Sequence, residues 1–354
     1  MKNKILYLEI LRIFSIFFVI FNHTGDMGFF MFKQYQPSDI LYWIYLFISV
    51  FCKISVPMFM AISGALTLNK KETPKNWGTR IFKMAIILLI VSLVYYARMI
   101  YKTPDIEINM KSFVTGYIKG CISGTISAHL WYLYMYIGYL CIVPYLRVLV
   151  QNLETKYFYY MFIFMIAYGI VVCAEWLQFG GSLKLSEWLK GSWRLSNTII
   201  YPCLGYFMHN RLDLKNRKSI VLLWGLNVIL IVFTCYTTFV QGKAYGEYYE
   251  WFHSCFSVVN MVTVFLNVRY IFKTRTIPVL LEKCILSAGA CTFGIYLFHQ
   301  IVMGFYWRCI PVLRNYGINY MISTWIMCVL VLCTTWICVW IMSKIPFVKR
   351  IVGF

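Results

Sequence analysis

The chain has 354 residues, of which 61% are hydrophobic and only 13% charged, and it carries a formal net charge of +20. With a mean hydropathy of +0.69, this composition excludes an ordinary soluble domain and describes an integral membrane protein. No nucleic-acid motif accompanies the basic excess, so the charge is read as membrane sidedness and no nucleic-acid partner is expected.

The first apolar segment, Ile5 to His23, is long enough to cross a bilayer as a helix. Its basic leader resembles the start of a signal peptide. However, the segment carries Glu9 and Arg12 and lacks small-residue cleavage chemistry, so it reads as a retained span. Arg12 and His23 are eleven residues apart. That is close to three helical turns, so both project from one face, roughly 16 Å apart along the axis. Glu9 lies three residues before Arg12, near the same face. An arginine in hydrocarbon costs at least a few kcal/mol, so this stripe should face protein or a wet cavity.

Further along, apolar runs predict spans at roughly 40–68, 81–101, 129–149, 157–177, 196–210, 219–240, 251–271, 285–305 and 320–343. The fold expected is therefore all-α: a polytopic membrane bundle of about ten transmembrane helices. It forms one integral membrane domain over residues 1–354, with no soluble extracellular domain. Lysine and arginine favour one set of connectors by roughly two to one, which places both termini in the cytoplasm. Arg12 then sits in the inner part of the bilayer and His23 near its outer boundary. The 13 cysteines lie mostly inside apolar runs without CxxC or Cys/His zinc spacing, so free thiols and no metal are expected.

A histidine at the outer end of a polar helix face suits general-base work, because imidazole titrates near neutral pH. A phosphate-bearing donor entering from inside could meet Arg12, and its reactive end could approach His23. The plain alternative is a polar pair that orients helices, with Glu9 and Arg12 as an ion pair. Arg80 and Lys83 lie in the most basic connector, where topology alone would also place them. Ser63-Gly64 suits close helix packing. His129 and Trp131 begin a span at a membrane boundary, and His299 lies inside one. His209 and His253 fall at span ends and read as interfacial.

Several blocks together resemble the acyltransferase 3 family of membrane acyltransferases. The first span resembles its Asp/Glu-x-x-Arg…His opening, with the same Arg-x10-His spacing. Ser55-Val-Pro-Met-Phe-Met-Ala-Ile-Ser-Gly64 is similar to its second-helix pattern, with Ala65 where an aromatic is common. Arg80-Ile-Phe-Lys83 resembles its Arg-x-x-Arg motif, with lysine replacing the second arginine. His129-Leu-Trp-Tyr-Leu, Tyr201 to Phe207, and Ser287 to His299 resemble three further blocks, in family order over nearly the whole chain.

The resemblance implies an acyl-CoA-dependent O-acyltransferase of the bacterial cytoplasmic membrane. The donor, usually acetyl-CoA, would be a substrate, and the acceptor a cell-surface carbohydrate or lipid-linked glycan. It implies catalysis by His23 with Arg12 and Glu9. Donor phosphates would meet Arg80, Lys83 and Arg12, and substrate would meet His129, Trp131, Ser63 and His299. Lys83 keeps the charge but lacks the planar fork of arginine. Direct transfer and a covalent acyl-histidine both remain open, as does a transporter, flippase or non-catalytic transport or sensor module.

Overall fold

A computed structural model of the chain describes residues 5–103, 109–179, 196–212, 216–245, 256–275, 277–317 and 319–352. Its regular structure is helical, with no strand among the described residues. The helices are α1 (Leu6–Asn22), α2 (Ile40–Cys52), α3 (Ser55–Thr67), α4 (Pro74–Tyr101), α5 (Met110–Ser123), α6 (Trp131–Asn152) and α7 (Thr155–Phe179). There follow α8 (Tyr201–Asn210), α9 (Arg217–Tyr245), α10 (Ser257–Thr274), α11 (Val279–Tyr306), α12 (Cys309–Asn315), α13 (Tyr320–Met342) and α14 (Pro346–Val352). They group into two compact units: residues 1–66 with 153–354, and residues 67–152.

Every predicted span contains a helix. Among the described residues, seven stretches are long and apolar enough to cross a membrane: Ile40–Thr67, Pro74–Tyr101, Ala128–Asn152, Thr155–Glu175, Arg217–Gly242, Val279–Tyr306 and Tyr320–Met342. The spans predicted at 5–24, 196–210 and 251–271 contain α1, α8 and most of α10 but fall outside these seven, and the count of ten rests on them. The 196–210 span opens with a π turn over Ser196–Ile200 before α8. Residues 251–255, including His253, lie outside the described residues, as do Lys2, Lys4, Lys184, Lys190, Arg194 and Lys215, which contributed to the charge bias.

The predicted 40–68 span is broken at Lys53–Ile54. Pro57 supplies the reason. It has no N–H for the carbonyl of Lys53, and its ring crowds that carbonyl, so the helix stops and restarts. The carbonyls freed in apolar surroundings need other donors. Asn260 of α10 donates to the Phe51 carbonyl at 2.9 Å, and its own Oδ1 accepts from Asn227 of α9 at 3.1 Å. Asn22 of α1 donates to the Cys52 carbonyl at 3.4 Å and to Ser55 Oγ at 3.1 Å. The Lys53 ammonium lies 4.7 Å above the Phe29 ring, a cation–π contact that shields its charge.

Within the larger unit α1 is nearly enclosed. It packs against α2, α10, α11 and α13, and Phe14 is its one exposed side chain. A helix whose few polar side chains are paired, as Glu9 is with Arg12, can occupy such a position. Trp325 of α13 stacks on Phe21 with centroids 4.4 Å apart and planes 1° apart. Two glycines set the closest helix contacts. A methyl at Gly64 of α3 would overlap the Pro202 carbonyl, and one at Gly205 of α8 would overlap the Ala61 carbonyl. The contact is reciprocal, as expected where small residues let membrane helices meet backbone to backbone.

The smaller unit packs α4 against α5 and α6. Thr73 caps α4 by accepting from the Asn76 amide at 3.3 Å, with Pro74 in the first turn. Pro144 interrupts α6 and leaves the Leu140 carbonyl without its helical donor. The Trp77 indole N–H takes that carbonyl at 2.7 Å. Helix α5 has no counterpart among the predicted spans, since it is too polar for one. Its ends are nevertheless marked by an Asn109 cap, which accepts from the Ser112 amide at 2.8 Å, and by Gly124 in the left-handed region at φ 69°.

Candidate active site

His23 terminates α1. Its backbone is in a bridge conformation, φ −90° and ψ 3°, and its amide still donates to Val19 and Ile20. The turn beyond it is tied down. Thr24 Oγ1 donates to the Phe21 carbonyl at 2.7 Å and accepts from the Phe29 amide at 2.9 Å, while Thr324 of α13 bonds the Met27 carbonyl. Asn22, one residue earlier, is held against the broken α2–α3 segment. The half-buried imidazole of His23 therefore leaves a rigid stem at the end of an enclosed helix.

His299 of α11 stands behind it. The two rings have centroids 5.3 Å apart and planes 36° apart. His299 is wholly buried, and its Nδ1–H donates to the Tyr296 carbonyl at 2.7 Å. That bond assigns the proton to Nδ1 and leaves the lone pair on Nε2. The chain thus brings together two imidazoles that the sequence placed on its first and ninth spans.

Lower on α1, Arg12 Nη1 bonds both oxygens of Glu9, at 2.9 and 3.1 Å. Glu9 is 4% exposed, while the Arg12 side chain is 29% exposed. Glu9 fits because α11 presents Gly289 beneath it; a methyl there would strike the carboxylate. The pairing compensates a buried carboxylate that would otherwise be prohibitively costly, and it leaves Nε and Nη2 of Arg12 as donors of the same fork. Ser63 is half-buried and donates to the Phe59 carbonyl one turn back, at 2.8 Å. His209, at the end of α8, hydrogen-bonds the Tyr7 hydroxyl, and Arg269 of α10 caps that helix end through the Met208 and Leu212 carbonyls.

In the smaller unit, Arg80 belongs to an ion triad. Glu72 Oε2 accepts from Arg80 at 3.0 Å and from Arg147 at 2.7 Å, and Arg147 Nε donates to the Thr67 carbonyl at 3.0 Å. Two arginines on one carboxylate leave a net positive charge. Lys83, half-buried, lies one turn further along α4. His129 is buried, bonded to Ser127 Oγ at 2.9 Å and set edge-on to the Tyr95 ring at 4.7 Å. Trp131 is 42% exposed. Sequence reasoning passed over Glu72 and counted Arg147 only toward sidedness. An acidic residue alone in a basic connector was the available signal. It also passed over Asn22, a polar residue in an apolar run beside His23.

These features define a polytopic helical membrane protein with a charged pair on α1 and an imidazole pair where α1 meets α11. Residues 5–343 match the acyltransferase-domain family Acyl_transf_3, and the chain belongs to that family. Acyl transfer at a membrane is accordingly its class of activity. No curated protein and no solved structure gives a significant match.

Proposed function

We propose that the protein is an O-acyltransferase of a bacterial cytoplasmic membrane, moving an acetyl group from cytoplasmic acetyl-CoA to a hydroxyl of an extracytoplasmic or lipid-linked carbohydrate. Both termini face the cytoplasm in this reading. The supporting observation is the His23 imidazole, accessible on one side and backed by a buried histidine on the other. His23 takes the proton of the acceptor hydroxyl as its oxygen bonds to the thioester carbonyl carbon. The carbon–sulfur bond then breaks, and the departing thiolate takes the proton back from the imidazolium. Arg12, held through Nη1 by Glu9, offers its remaining N–H groups to an anionic part of a substrate.

The experiment is transfer by purified protein in proteoliposomes supplied with labelled acetyl-CoA and the carbohydrate acceptor. Release of CoA in step with ester formation is expected. The broken α2–α3 span also suits a transport module, since interrupted helices line substrate paths in transporters. Acceptor crossing the membrane without CoA release would favour that second reading.

Donor binding can be tested separately in the smaller unit. Arg80→Ala leaves Glu72 paired with Arg147, so the fold should persist. If Arg80 holds a donor phosphate, losing one charge-assisted bond costs about 1.5–3 kcal/mol, a roughly tenfold or greater rise in the Kd for acetyl-CoA. An unchanged Kd by titration calorimetry would return Arg80 to membrane sidedness and to its ion triad.

A further inference from the structure

We propose that Glu72 and Arg147 are positioning residues that hold Arg80 for a phosphomonoester, the ribose phosphate of the acyl-CoA donor. The proposal rests on the reading of acyl-CoA as that donor. Neither residue lies in a block that resembles the family, and the smaller unit supplies the whole arrangement. The anchor is Arg147 on α6, whose side chain is only 10% exposed. Its Nε donates to the Thr67 carbonyl at 3.0 Å and its Nη2 to Glu72 Oε2 at 2.7 Å. The chain leading to Glu72 is strapped to α6 on both sides of Arg147. The Thr67 hydroxyl bonds that of Tyr139 at 2.7 Å, and Gln151 Nε2 donates to the Leu68 carbonyl at 3.4 Å. Glu72 Oε2 is thereby fixed, and it accepts from Arg80 Nη2 at 3.0 Å. Two deficits remain, and both are met by an anion. Arg80 and Arg147 share one carboxylate, which leaves a positive charge uncompensated in a partly buried setting, and Lys83 one turn along α4 adds another. Arg80 Nε is buried and has no acceptor among the described residues. A bound oxygen would remove that cost. Arg80 is also the more open of the two arginines, at 23%, so a ligand reaches the cluster there. A phosphomonoester carries a charge of about −1.5 to −2 and three strong acceptor oxygens, which answers both deficits at once.

The test is titration calorimetry with acetyl-CoA and with dephospho-acetyl-CoA, which lacks that phosphate. The protein is held in nanodiscs of phosphatidylcholine, a lipid without a phosphomonoester. The parent should bind acetyl-CoA about tenfold or more tightly than the dephospho form, the worth of one charge-assisted contact. Glu72→Gln should weaken acetyl-CoA binding about tenfold and leave the dephospho affinity nearly unchanged, so the preference disappears. The sign of this change separates two roles. If Glu72 only tempered the charge of the cluster, its neutralisation would tighten the binding of an anion. Arg147→Lys keeps the charge, but its compact ammonium lacks the planar fork that joins the Thr67 carbonyl to Glu72, so it should lose the preference too. In the Arg80→Ala background neither substitution should cost more, because both act through Arg80. Equal affinities of the parent for the two ligands overturn the proposal. So do tighter acetyl-CoA binding by Glu72→Gln, an unchanged preference in Arg147→Lys, and a further loss in the Arg80→Ala background. A parallel loss of both affinities with a lower melting temperature in both variants would make Glu72 and Arg147 parts of the fold alone, and also overturns it. Phosphatidic acid, a lipid phosphomonoester, is the rival occupant: if adding it to the nanodiscs abolished the parent's preference, the seat would belong to a headgroup and the proposal would fall. Failure of the parent to bind either ligand removes the donor reading itself; the other adverse outcomes remove only this seat.

Discussion

His23→Gln is expected to lower the rate of acyl transfer by about two to four orders of magnitude, the usual contribution of a general base. The protein should remain folded, and acetyl-CoA should still bind. Glutamine has nearly the reach of histidine and can hydrogen-bond, but it cannot take a proton at neutral pH. Because the stem of His23 is fixed by backbone bonds to Val19 and Ile20 and by the tied turn after it, the substitution changes the chemistry of one side chain and little else. A role in packing predicts a different pattern. Glutamine would then preserve activity, and His23→Ala would lower the melting temperature in detergent. The measurement is CoA release and ester formation by folded, reconstituted variants. Turnover near that of the parent would remove His23 from the mechanism and favour the transport reading.

The apolar runs marked the helices because a membrane demands long, self-satisfied segments. What they could not mark was where such a run breaks. Residues 40–68 are apolar almost throughout, and the interruption at Lys53–Ile54 comes from a missing amide at Pro57, not from a change in hydropathy. Helix α5 was passed over for the converse reason. It is too polar for a span, and its markers are the caps at Asn109 and Gly124.

The polar face of α1 was legible from spacing alone, since Glu9, Arg12 and His23 follow the helical period. The ring behind His23 was not, because nothing in a sequence fixes which spans become neighbours. His299 was assigned to substrate by resemblance, and its complete burial against His23 emerged only from the packing of α1 on α11. Similarly, Arg147 looked like one more sidedness charge until α6 carried it to the carboxylate that also holds Arg80.

Gly64→Val should be among the most disruptive single substitutions in the larger unit. At Gly64 even a methyl would overlap the Pro202 carbonyl, and at Gly205 it would overlap that of Ala61. Backbone cannot rotate out of the way as a side chain can, so α3 and α8 must separate to admit the added atoms. Overpacking of this kind costs about 1–3 kcal/mol, and the branched valine belongs at or above the upper end. Separation would also pull on Ser55 at the start of α3, which Asn22 holds beside His23, so activity should fall together with stability. Gly205→Val should behave alike, because it enters the same crossing from the other helix. Gly78→Ala, Gly138→Ala and Gly225→Ala provide the contrast. They lie in α4, α6 and α9 with no atom within 4 Å of an added methyl, so alanine should be neutral or stabilising by up to about 1 kcal/mol through helix propensity. Thermal melting in detergent, followed by size-exclusion chromatography, separates the two groups. If Gly64→Val melted with the three control variants, the α3–α8 contact would have to be looser than a backbone-to-backbone crossing.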